Sequence, residues 1–359
     1  MKESFKIIFA GGGTGGHLYS GIAIADVIRK KYPQAEILFV GTALGLENKI
    51  VPQEGYSLEL IAASPLKGSG IALRLRSLMR LPKAYFQAKK ILKKFRPDLV
   101  MGIGGYASGP TVLAAHFQKI FTAIIEQNAY PGFTNRKLGR FVDCVFIAFE
   151  KARTFFDAKK VLLLGNPVRH MEIVHAEKAQ DKFTIFIMGG SQGAHALNQA
   201  LIDALPFLKN FSQSLHFIHQ TGEKDFELVQ KEYQDQGFSA EVFPFNPKIA
   251  ECYAKANFAI CRSGAGTVTE LQLNALPAIL VPYPFAADDH QYFNAKEMLD
   301  KGAAKLIRNE ELNGEIVAKN IEYFLNNRDQ LAEMSELAKS LAHPHAAEEV
   351  LQHCLTEIS

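Results

Sequence analysis

The stretch Phe5–His17 reads FKIIFAGGGTGGH, an apolar run that ends in a glycine-rich turn. Residues 183–195 read FTIFIMGGSQGAH, so the same arrangement recurs 178 positions further along a chain of 359 residues. A strand that ends in glycines and leads into a helix brings backbone N–H groups and the positive helix end to one point. The repeat therefore predicts two lobes of the nucleotide-binding type that face one cleft.

Length and composition indicate a folded protein of two domains. The chain is 48% hydrophobic and 21% charged, which is ordinary for globular domains. It has no apolar run near twenty residues and no apolar core of a signal peptide near its N-terminus. We therefore expect neither a transmembrane helix nor a secretory leader. The four cysteines lack metal-ligand spacing and favour a reducing cytosol.

The two halves of the chain carry opposite charge. Residues 1–170 hold 25 Lys and Arg against 11 Asp and Glu, and residues 171–359 hold 15 against 26. The basic half indicates an anionic partner, whether a membrane, a nucleic acid or a phosphorylated substrate. A merely solvated charged surface is the alternative.

Short apolar runs alternate with amphipathic segments in both halves. This alternation predicts an α/β fold with a parallel sheet covered by helices in each domain. Ligands of such sheets bind at the carboxyl ends of the strands. We expect a first domain over residues 1–165 and a second over 166–340, with a linker near 171–182. A C-terminal helix at about 341–359 is expected to pack back on the first domain.

The first glycine turn also fits the dinucleotide fingerprint, with Gly11, Gly13 and Gly16 at the required spacing. That fingerprint needs an acidic residue at the end of the second strand to bind the ribose. Here the second strand ends at Gly41 and Thr42. An NAD-linked oxidoreductase therefore remains an alternative that lacks its key acid.

A third turn, Cys261–Glu270, places small residues between a predicted strand and a predicted helix. Glu270 can accept two hydrogen bonds from vicinal hydroxyls such as those of a ribose. Its alternative role is that of an acid favoured near a helix N-terminus. The triplet Asp288–His290 lacks further ligands at metal-binding spacing, and no Asp-x-Asp pair occurs in the chain.

His17 ends the first glycine turn and suits general-base work on a hydroxyl, because histidine titrates near neutral pH. A capping role at the helix start is the alternative. His195 occupies the matching place in the second half, where a structural role is favoured because one reaction needs only one base.

Residues 67–96 contain ten Lys and Arg and no acid, interleaved with bulky apolar residues. This pattern favours contact with an anionic membrane surface. A solvated helix is the first alternative, and nucleic acid is disfavoured because recognised motifs are missing. Pro82 is expected to start a second helix within the segment. The membrane-facing candidates are Ile71, Leu75, Arg80, Lys83, Lys89, Lys90, Lys93 and Lys94.

Several motifs occur together in a characteristic order. Besides the two glycine turns, they include residues 104–110 (GGYASGP), 126–128 (EQN), 165–169 (GNPVR) and 262–270. Together they resemble the MurG family of bacterial N-acetylglucosaminyltransferases, which turn lipid I into lipid II in peptidoglycan synthesis. The resemblance runs from about residue 5 to residue 304.

The resemblance implies a GT-B fold, two Rossmann-like domains facing a deep cleft. It implies inverting, metal-independent transfer of GlcNAc from UDP-GlcNAc to the C4 hydroxyl of undecaprenyl-pyrophosphoryl MurNAc-pentapeptide, with no cofactor. It further implies a peripheral enzyme on the cytoplasmic face of the bacterial membrane. Another GT-B enzyme with a different sugar or lipid, and a catalytically silent membrane scaffold, are the remaining alternatives.

The resemblance also assigns residues by position. His17 is the candidate base, and Glu126 is a second catalytic candidate. The acceptor candidates are Gly13, Tyr106 and Ser108. The donor candidates are Thr14, Gly15, Gly16, Asn128, Arg169, Ser191, Asn246, Ala265, Gly266, Thr267, Val268, Thr269, Glu270 and Gln291.

Overall fold

The computed structural model describes residues 4–64, 71–168, 182–190 and 192–359, and for residues 71–79 only the course of the backbone. The chain divides into two compact units. Unit 1 comprises Met1–His170 and His345–Ser359, and unit 2 comprises Met171–Pro344.

Strands and helices alternate along the described part of unit 1. In chain order they are β1 (Lys6–Gly11), α1 (Gly15–Lys31), β2 (Glu36–Gly41), α2 (Glu47–Gln53), β3 (Ser57–Leu60), α3 (Ile71–Phe95), β4 (Leu99–Gly104), α4 (Ser108–His116), β5 (Phe121–Glu126), α5 (Phe133–Leu138), β6 (Cys144–Ile147) and β7 (Val161–Leu163). The strands form a parallel sheet in the order β3-β2-β1-β4-β5-β6-β7.

Unit 2 repeats this plan over the residues that the structure describes. Its elements are β8 (Phe183–Met188), α6 (His195–Ala204), β9 (Leu215–Gln220), α7 (Phe226–Asp235), β10 (Ser239–Phe243), α8 (Ile249–Lys255), β11 (Phe258–Cys261), α9 (Ala265–Leu273), β12 (Ala278–Leu280), α10 (His290–Asp300), β13 (Ala304–Leu306), α11 (Gly314–Asn326) and α12 (Arg328–Ser340). The parallel sheet has the order β10-β9-β8-β11-β12-β13.

The core of unit 1 follows from the alternation of side chains along a strand. In β1, Ile7 and Phe9 enter one hydrophobic cluster, and Ile8 and Ala10 enter the other. Both faces of the sheet are therefore buried, which explains why the strands are continuous apolar runs. The last helix, α13 (Ala346–Glu357), contributes to the cluster that also contains residues of α1.

The chain order of each sheet reverses at one point, between β1 and β4 in unit 1 and between β8 and β11 in unit 2. Such a reversal opens a crevice at the carboxyl ends of the strands, where ligands of α/β sheets bind. The glycine turns that follow β1, β4, β8 and β11 all lie at these ends. The predicted fold class, two Rossmann-like parallel-sheet domains, is thus confirmed.

One local expectation was wrong. Pro82 does not start a new helix, because α3 runs from Ile71 to Phe95 with Pro82 inside it. A proline costs the helix one backbone hydrogen bond. The helix continues because Ala84, Ala88 and Leu92, one turn apart, are buried against the sheet.

Candidate active site

The first glycine turn is closed by hydrogen bonds within unit 1. The Gly12 N–H donates to the carbonyl of Gly104 over 3.0 Å, and the Gly13 N–H donates to Oε2 of Glu47 over 2.7 Å. Gly12 has a φ of +137°, and a Cβ there would lie 2.4 Å from the Glu47 carboxylate. The N–H groups of Gly12 and Gly13 therefore both have hydrogen-bond partners inside the fold.

Glu47 is the residue that organises this turn, and no sequence motif marks it. It is 1% exposed, and its Oε1 also accepts hydrogen bonds from the backbone N–H and the hydroxyl of Thr42. One buried carboxylate therefore ties the end of β2 to the turn after β1. A buried acid 34 residues from its partner has no local sequence signature.

The start of helix α1 is the open part of the first turn. Thr14 is the N-cap residue, is exposed, and makes no capping hydrogen bond with its side chain. The helix begins at Gly15, has no acid in its first turn, and a Cβ at Gly16 would meet nothing within 4 Å. A helix start of this kind favours an anion, so Thr14, Gly15 and Gly16 lie where a phosphate could bind.

His17 lies in the first turn of α1 and is half-buried. Its Nδ1 lies 2.9 Å from Oε1 of Gln127. Burial lowers the pKa of His17 below its usual 6.5, although the bond to Gln127 acts in the opposite direction. The imidazole is therefore neutral at pH 7, which is the state that a general base requires.

The turn after β4 carries two of the acceptor candidates. Tyr106 is 40% exposed, and its Cε2 lies 4.0 Å from the position that a Cβ on Gly13 would occupy. Ser108 differs, because it is fully buried and its hydroxyl points toward Gly102 without a hydrogen-bond partner. The Ser108 hydroxyl therefore faces the interior of unit 1, and a contact of Ser108 with the acceptor stays a prediction.

Glu126 is a buried carboxylate that stabilises the loop after β5. It is 1% exposed, and burial raises the pKa of its carboxyl against the opposing effect of its hydrogen bonds. It accepts hydrogen bonds from the Asn128 N–H, the Gly132 N–H and Nδ2 of Asn135, at 3.0, 3.0 and 2.9 Å. This geometry holds the loop that carries Asn128, so it favours a positioning role over direct contact with substrate.

The second glycine turn joins β8 to α6 in unit 2. A Cβ at Gly193 would lie 1.9 Å from the carbonyl oxygen of Thr221, so only glycine fits there. His195 begins α6, is exposed, and places Nδ1 3.0 Å from Asp225. The candidates Arg169 and Ser191 lie outside the described residues.

Helix α9 begins just after β11 and has no acid in its first turn. Ala265, Gly266 and Thr267 are half-buried at this helix start. The side chains of Val268 and Thr269 are buried, and contact of residues 265–270 with the nucleotide stays a prediction. The helical repeat turns these two positions toward the interior of unit 2.

Glu270 lies one turn into α9 and is half-buried. The Tyr253 hydroxyl, from α8, donates to its Oε2 over 2.7 Å. Burial raises the pKa of Glu270 to about 7, and the hydrogen bond from Tyr253 opposes this rise. Glu270 therefore changes charge in the physiological range, with its orientation set by Tyr253.

Asn246 and Gln291 both take part in turns. The Asn246 N–H donates to Oε1 of Gln220 over 3.1 Å, and its Oδ1 accepts from the Lys248 N–H. Oε1 of Gln291 accepts from the Tyr283 N–H over 2.9 Å. Oδ1 of Asn246 and Oε1 of Gln291 therefore each shape the loop that holds the residue, and Nδ2 of Asn246 donates to Sγ of Cys252 over 3.3 Å.

Two further observations concern the same loops of unit 2. Arg262 is buried and donates from Nη1 to the carbonyls of Val281 and Pro282, at 3.2 and 3.1 Å, so it fixes the segment after β12. Asp289 pairs with Arg308 at 3.0 Å. Among the described residues, no group of three or more His, Cys, Asp and Glu could hold a metal ion.

The basic helix α3 presents cations on the side opposite its buried alanines. Phe86 is 66% exposed among them, and Lys94 lies 3.4 Å from Glu59. The exposed cations are Arg80, Lys83, Lys90, Lys93 and Lys94, and Lys89 is half-buried. The side chains of Ile71 and Leu75 lie outside the described part of the chain. Within the described ranges, no helix has the length and apolar character to cross a bilayer.

Comparison with known proteins identifies the family. Residues 7–147 match the glycosyltransferase family 28 N-terminal domain, and residues 184–350 match the family's C-terminal domain. The UDP-N-acetylglucosamine--N-acetylmuramyl-(pentapeptide) pyrophosphoryl-undecaprenol N-acetylglucosamine transferase of Myxococcus xanthus is 46% identical over 353 residues, which cover 98% of this chain and 92% of the relative. The Geobacter sulfurreducens enzyme of the same name is 43% identical over 352 residues, 96% of this chain and 97% of the relative.

Comparison with solved structures supports the same family assignment. Acinetobacter baumannii MurG has a TM-score of 0.83 and 32% identity, with 98% of this chain and 99% of that chain covered. The calicheamicin glycosyltransferase CalG4, at 15% identity and a TM-score of 0.70 over the whole of both chains, shares the fold. Fold and family models thus define a GT-B glycosyltransferase of family 28. Within this class the chain belongs to the MurG family, so the resemblance seen in the sequence is confirmed and the NAD-linked alternative is set aside.

Proposed function

We propose that this chain transfers GlcNAc from UDP-GlcNAc to the C4 hydroxyl of undecaprenyl-pyrophosphoryl MurNAc-pentapeptide, with inversion at the anomeric carbon. The observation that carries the proposal is the likeness to N-acetylglucosamine transferases of this name along almost the whole chain. The product would be the disaccharide-pentapeptide lipid used in peptidoglycan synthesis.

Unit 2 binds the donor in this proposal. The carboxylate of Glu270 accepts hydrogen bonds from the ribose hydroxyls, and the N-terminus of α9 lies beside it with half-buried small residues. Negative charge that develops on the leaving UDP is stabilised by the partial positive charge of such helix ends. The cation Arg169 would add to this, and no metal ion is required.

Unit 1 binds the acceptor and supplies the base. Neutral His17 takes the proton of the acceptor hydroxyl as the oxygen attacks the anomeric carbon. Gly13 and the exposed ring of Tyr106 lie together near the start of α1, where the open backbone N–H groups suit the acceptor pyrophosphate.

The acceptor is a lipid, so we place the enzyme on the cytoplasmic face of the bacterial membrane as a peripheral protein. The exposed cations of α3 and the exposed Phe86 support this placement, because lysines attract anionic headgroups and an aromatic ring enters their boundary. A membrane surface is therefore the proposed third partner, beside donor and acceptor.

A donor screen tests the proposal. The purified protein is incubated with the lipid acceptor in detergent, with EDTA present, and with UDP-GlcNAc, UDP-GalNAc or UDP-glucose in turn. We expect transfer from UDP-GlcNAc alone, unaffected by the chelator, and its loss in His17→Ala. Preference for another sugar would show a different GT-B activity, and loss of activity with EDTA would contradict the metal-independent mechanism.

A further inference from the structure

The candidate base His17 has a side-chain partner that decides which of its nitrogens carries the proton. Nδ1 of His17 lies 2.9 Å from Oε1 of Gln127. Gln127 directly follows Glu126, the last residue of β5. A neutral imidazole has one N–H donor and one acceptor nitrogen, and the tautomer is set by the hydrogen bond that one nitrogen makes.

The orientation of the Gln127 amide is fixed by a second bond. Its Nε2 donates to the backbone carbonyl of Ile103, in β4, over 3.1 Å. The opposite amide orientation would bring two acceptor oxygens together at Ile103, so Oε1 must face His17. Gln127 is 2% exposed, and water does not compete for this arrangement.

The amide oxygen of Gln127 can only accept a hydrogen bond, so the His17 nitrogen that faces it must be a donor. Nδ1 of His17 therefore carries the hydrogen, and the lone pair of the neutral ring is on Nε2. Burial lowers the pKa of the imidazole and keeps this neutral form at physiological pH. Within the described part of the chain, no hydrogen bond engages Nε2.

Gly104 packs directly against the imidazole of His17. A Cβ at this position would lie 2.6 Å from Nδ1 of His17, and the φ of Gly104 is +95°. The ring therefore lies against bare backbone between the ends of β4 and β5. Residues in α1, at the end of β4 and directly after β5 therefore hold the His17 ring in a single orientation, at the point where the strand order of the sheet reverses.

The geometry points to Gln127 as a positioning residue that holds His17 in the Nδ1–H tautomer, so that Nε2 is the atom that accepts the proton. This inference rests on the proposed function. In the reaction, the acceptor hydroxyl proton moves to Nε2 while the oxygen forms its bond to the anomeric carbon. The bond from that carbon to the β-phosphate oxygen breaks, its electron pair leaves with UDP, and the imidazolium returns its proton to solvent.

Nitrogen NMR of the histidine rings tests the tautomer without any substrate. In the full-length protein labelled with ¹⁵N-histidine, with His17→Gln used to assign the signals, we expect Nδ1 of His17 to show the shift of a protonated nitrogen and Nε2 that of an unprotonated one. The reverse pattern in the wild type would overturn the inference, whether or not the protein transfers GlcNAc.

Variants of Gln127 connect the tautomer to the reaction. Gln127→Met keeps the length of the side chain but removes the acceptor, so we expect loss of the Nδ1–H pattern and a fall in kcat of about 10²-fold, the low end of the contribution of a general base. KM for UDP-GlcNAc should be unchanged.

Gln352→Met, on the exposed face of α13 in unit 1, is the matched control for the same substitution and should behave as wild type. Thermal unfolding of each variant separates a folding defect from a catalytic one. Unchanged kcat in a folded Gln127→Met variant would overturn the positioning role. Absence of GlcNAc transfer by the wild type would instead refute the proposed function, and the NMR result would stand by itself.

Discussion

The hydroxyl of Tyr253 donates a 2.7 Å hydrogen bond to Oε2 of Glu270. Tyr253 is 2% exposed and its ring packs edge-on against Phe186, with centroids 5.2 Å apart, so the donor is held rigidly. One oxygen of the proposed ribose-binding carboxylate is thereby fixed, and the orientation of the other follows from it.

Tyr253→Phe should therefore weaken donor binding. Loss of this bond frees the carboxylate to rotate and removes an interaction that lowers its pKa. We expect the Kd for UDP-GlcNAc, measured by calorimetry, to rise roughly 3- to 10-fold, equivalent to about 1 kcal/mol. Tyr323→Phe, which removes an exposed hydroxyl on α11, is the control. Equal affinity in wild type and Tyr253→Phe would show that Glu270 needs no such support.

Donor binding should also depend on pH through Glu270. Its pKa is raised by burial to about 7, and the ionised carboxylate is the stronger acceptor for ribose hydroxyls. The ionised fraction grows as pH rises through this value, so affinity for UDP-GlcNAc should increase about fivefold or more from about pH 6 to about pH 8. Glu270→Gln should bind weakly and lose this dependence. A flat profile in the wild type would contradict the role given to the carboxylate.

Glu47→Gln should disturb the first glycine turn. Its two carboxylate oxygens accept three hydrogen bonds from Gly13 and Thr42, and an amide would turn its NH₂ group toward one of these donors. We expect the free energy of unfolding to fall by about 1–3 kcal/mol and kcat to fall, while UDP binding by unit 2 is retained. The control Glu349→Gln changes an exposed residue of α13. Unchanged stability and kcat would show that Glu47 does not organise the turn.

The exposed cations of α3 should contribute to the binding of lipid surfaces and not to the transfer reaction. Lys83→Glu, Lys90→Glu and Lys93→Glu together reverse three exposed charges, so we expect vesicles of anionic phospholipid to bind more than about tenfold more weakly in flotation assays. Turnover of a short-chain, water-soluble acceptor should be preserved. The corresponding triple change at Lys224, Lys231 and Lys301, exposed in unit 2, should leave vesicle binding as in wild type. Parallel loss of both activities would contradict a docking role.

The fold could be predicted from the sequence because its signals are local. Apolar runs such as Lys6–Gly11 and Phe183–Met188 are buried on both faces, and a glycine turn follows each one. The repeat of strand, turn and helix is therefore enough to specify two parallel sheets. The prediction for Pro82 was wrong because burial of one helix face outweighed the cost of one backbone hydrogen bond.

Motifs in the sequence named candidates such as Thr14, His17 and Glu270, and their roles stay predictions. The site was not predictable where function depends on partners that are distant in sequence. Glu47 reaches Gly13 across 34 residues, and Gln127 reaches His17 across 110.

A motif also does not state which face of an element a side chain occupies. Ser108, Val268 and Thr269 lie within ligand-binding motifs of the sequence, yet all three side chains are buried in the structure. Only the packing of α4 and α9 against their sheets decides that these positions face inward.

The chemical structure of the reaction product tests the central claim most directly. The protein is incubated with UDP-GlcNAc and undecaprenyl-pyrophosphoryl MurNAc-pentapeptide in detergent, and the purified lipid is analysed by mass spectrometry and proton NMR. We predict the addition of one N-acetylhexosamine in β-linkage to C4 of MurNAc, because the base-assisted displacement inverts the α-linked donor. An unmodified acceptor, or a product with the α-linkage, would contradict the proposed transfer.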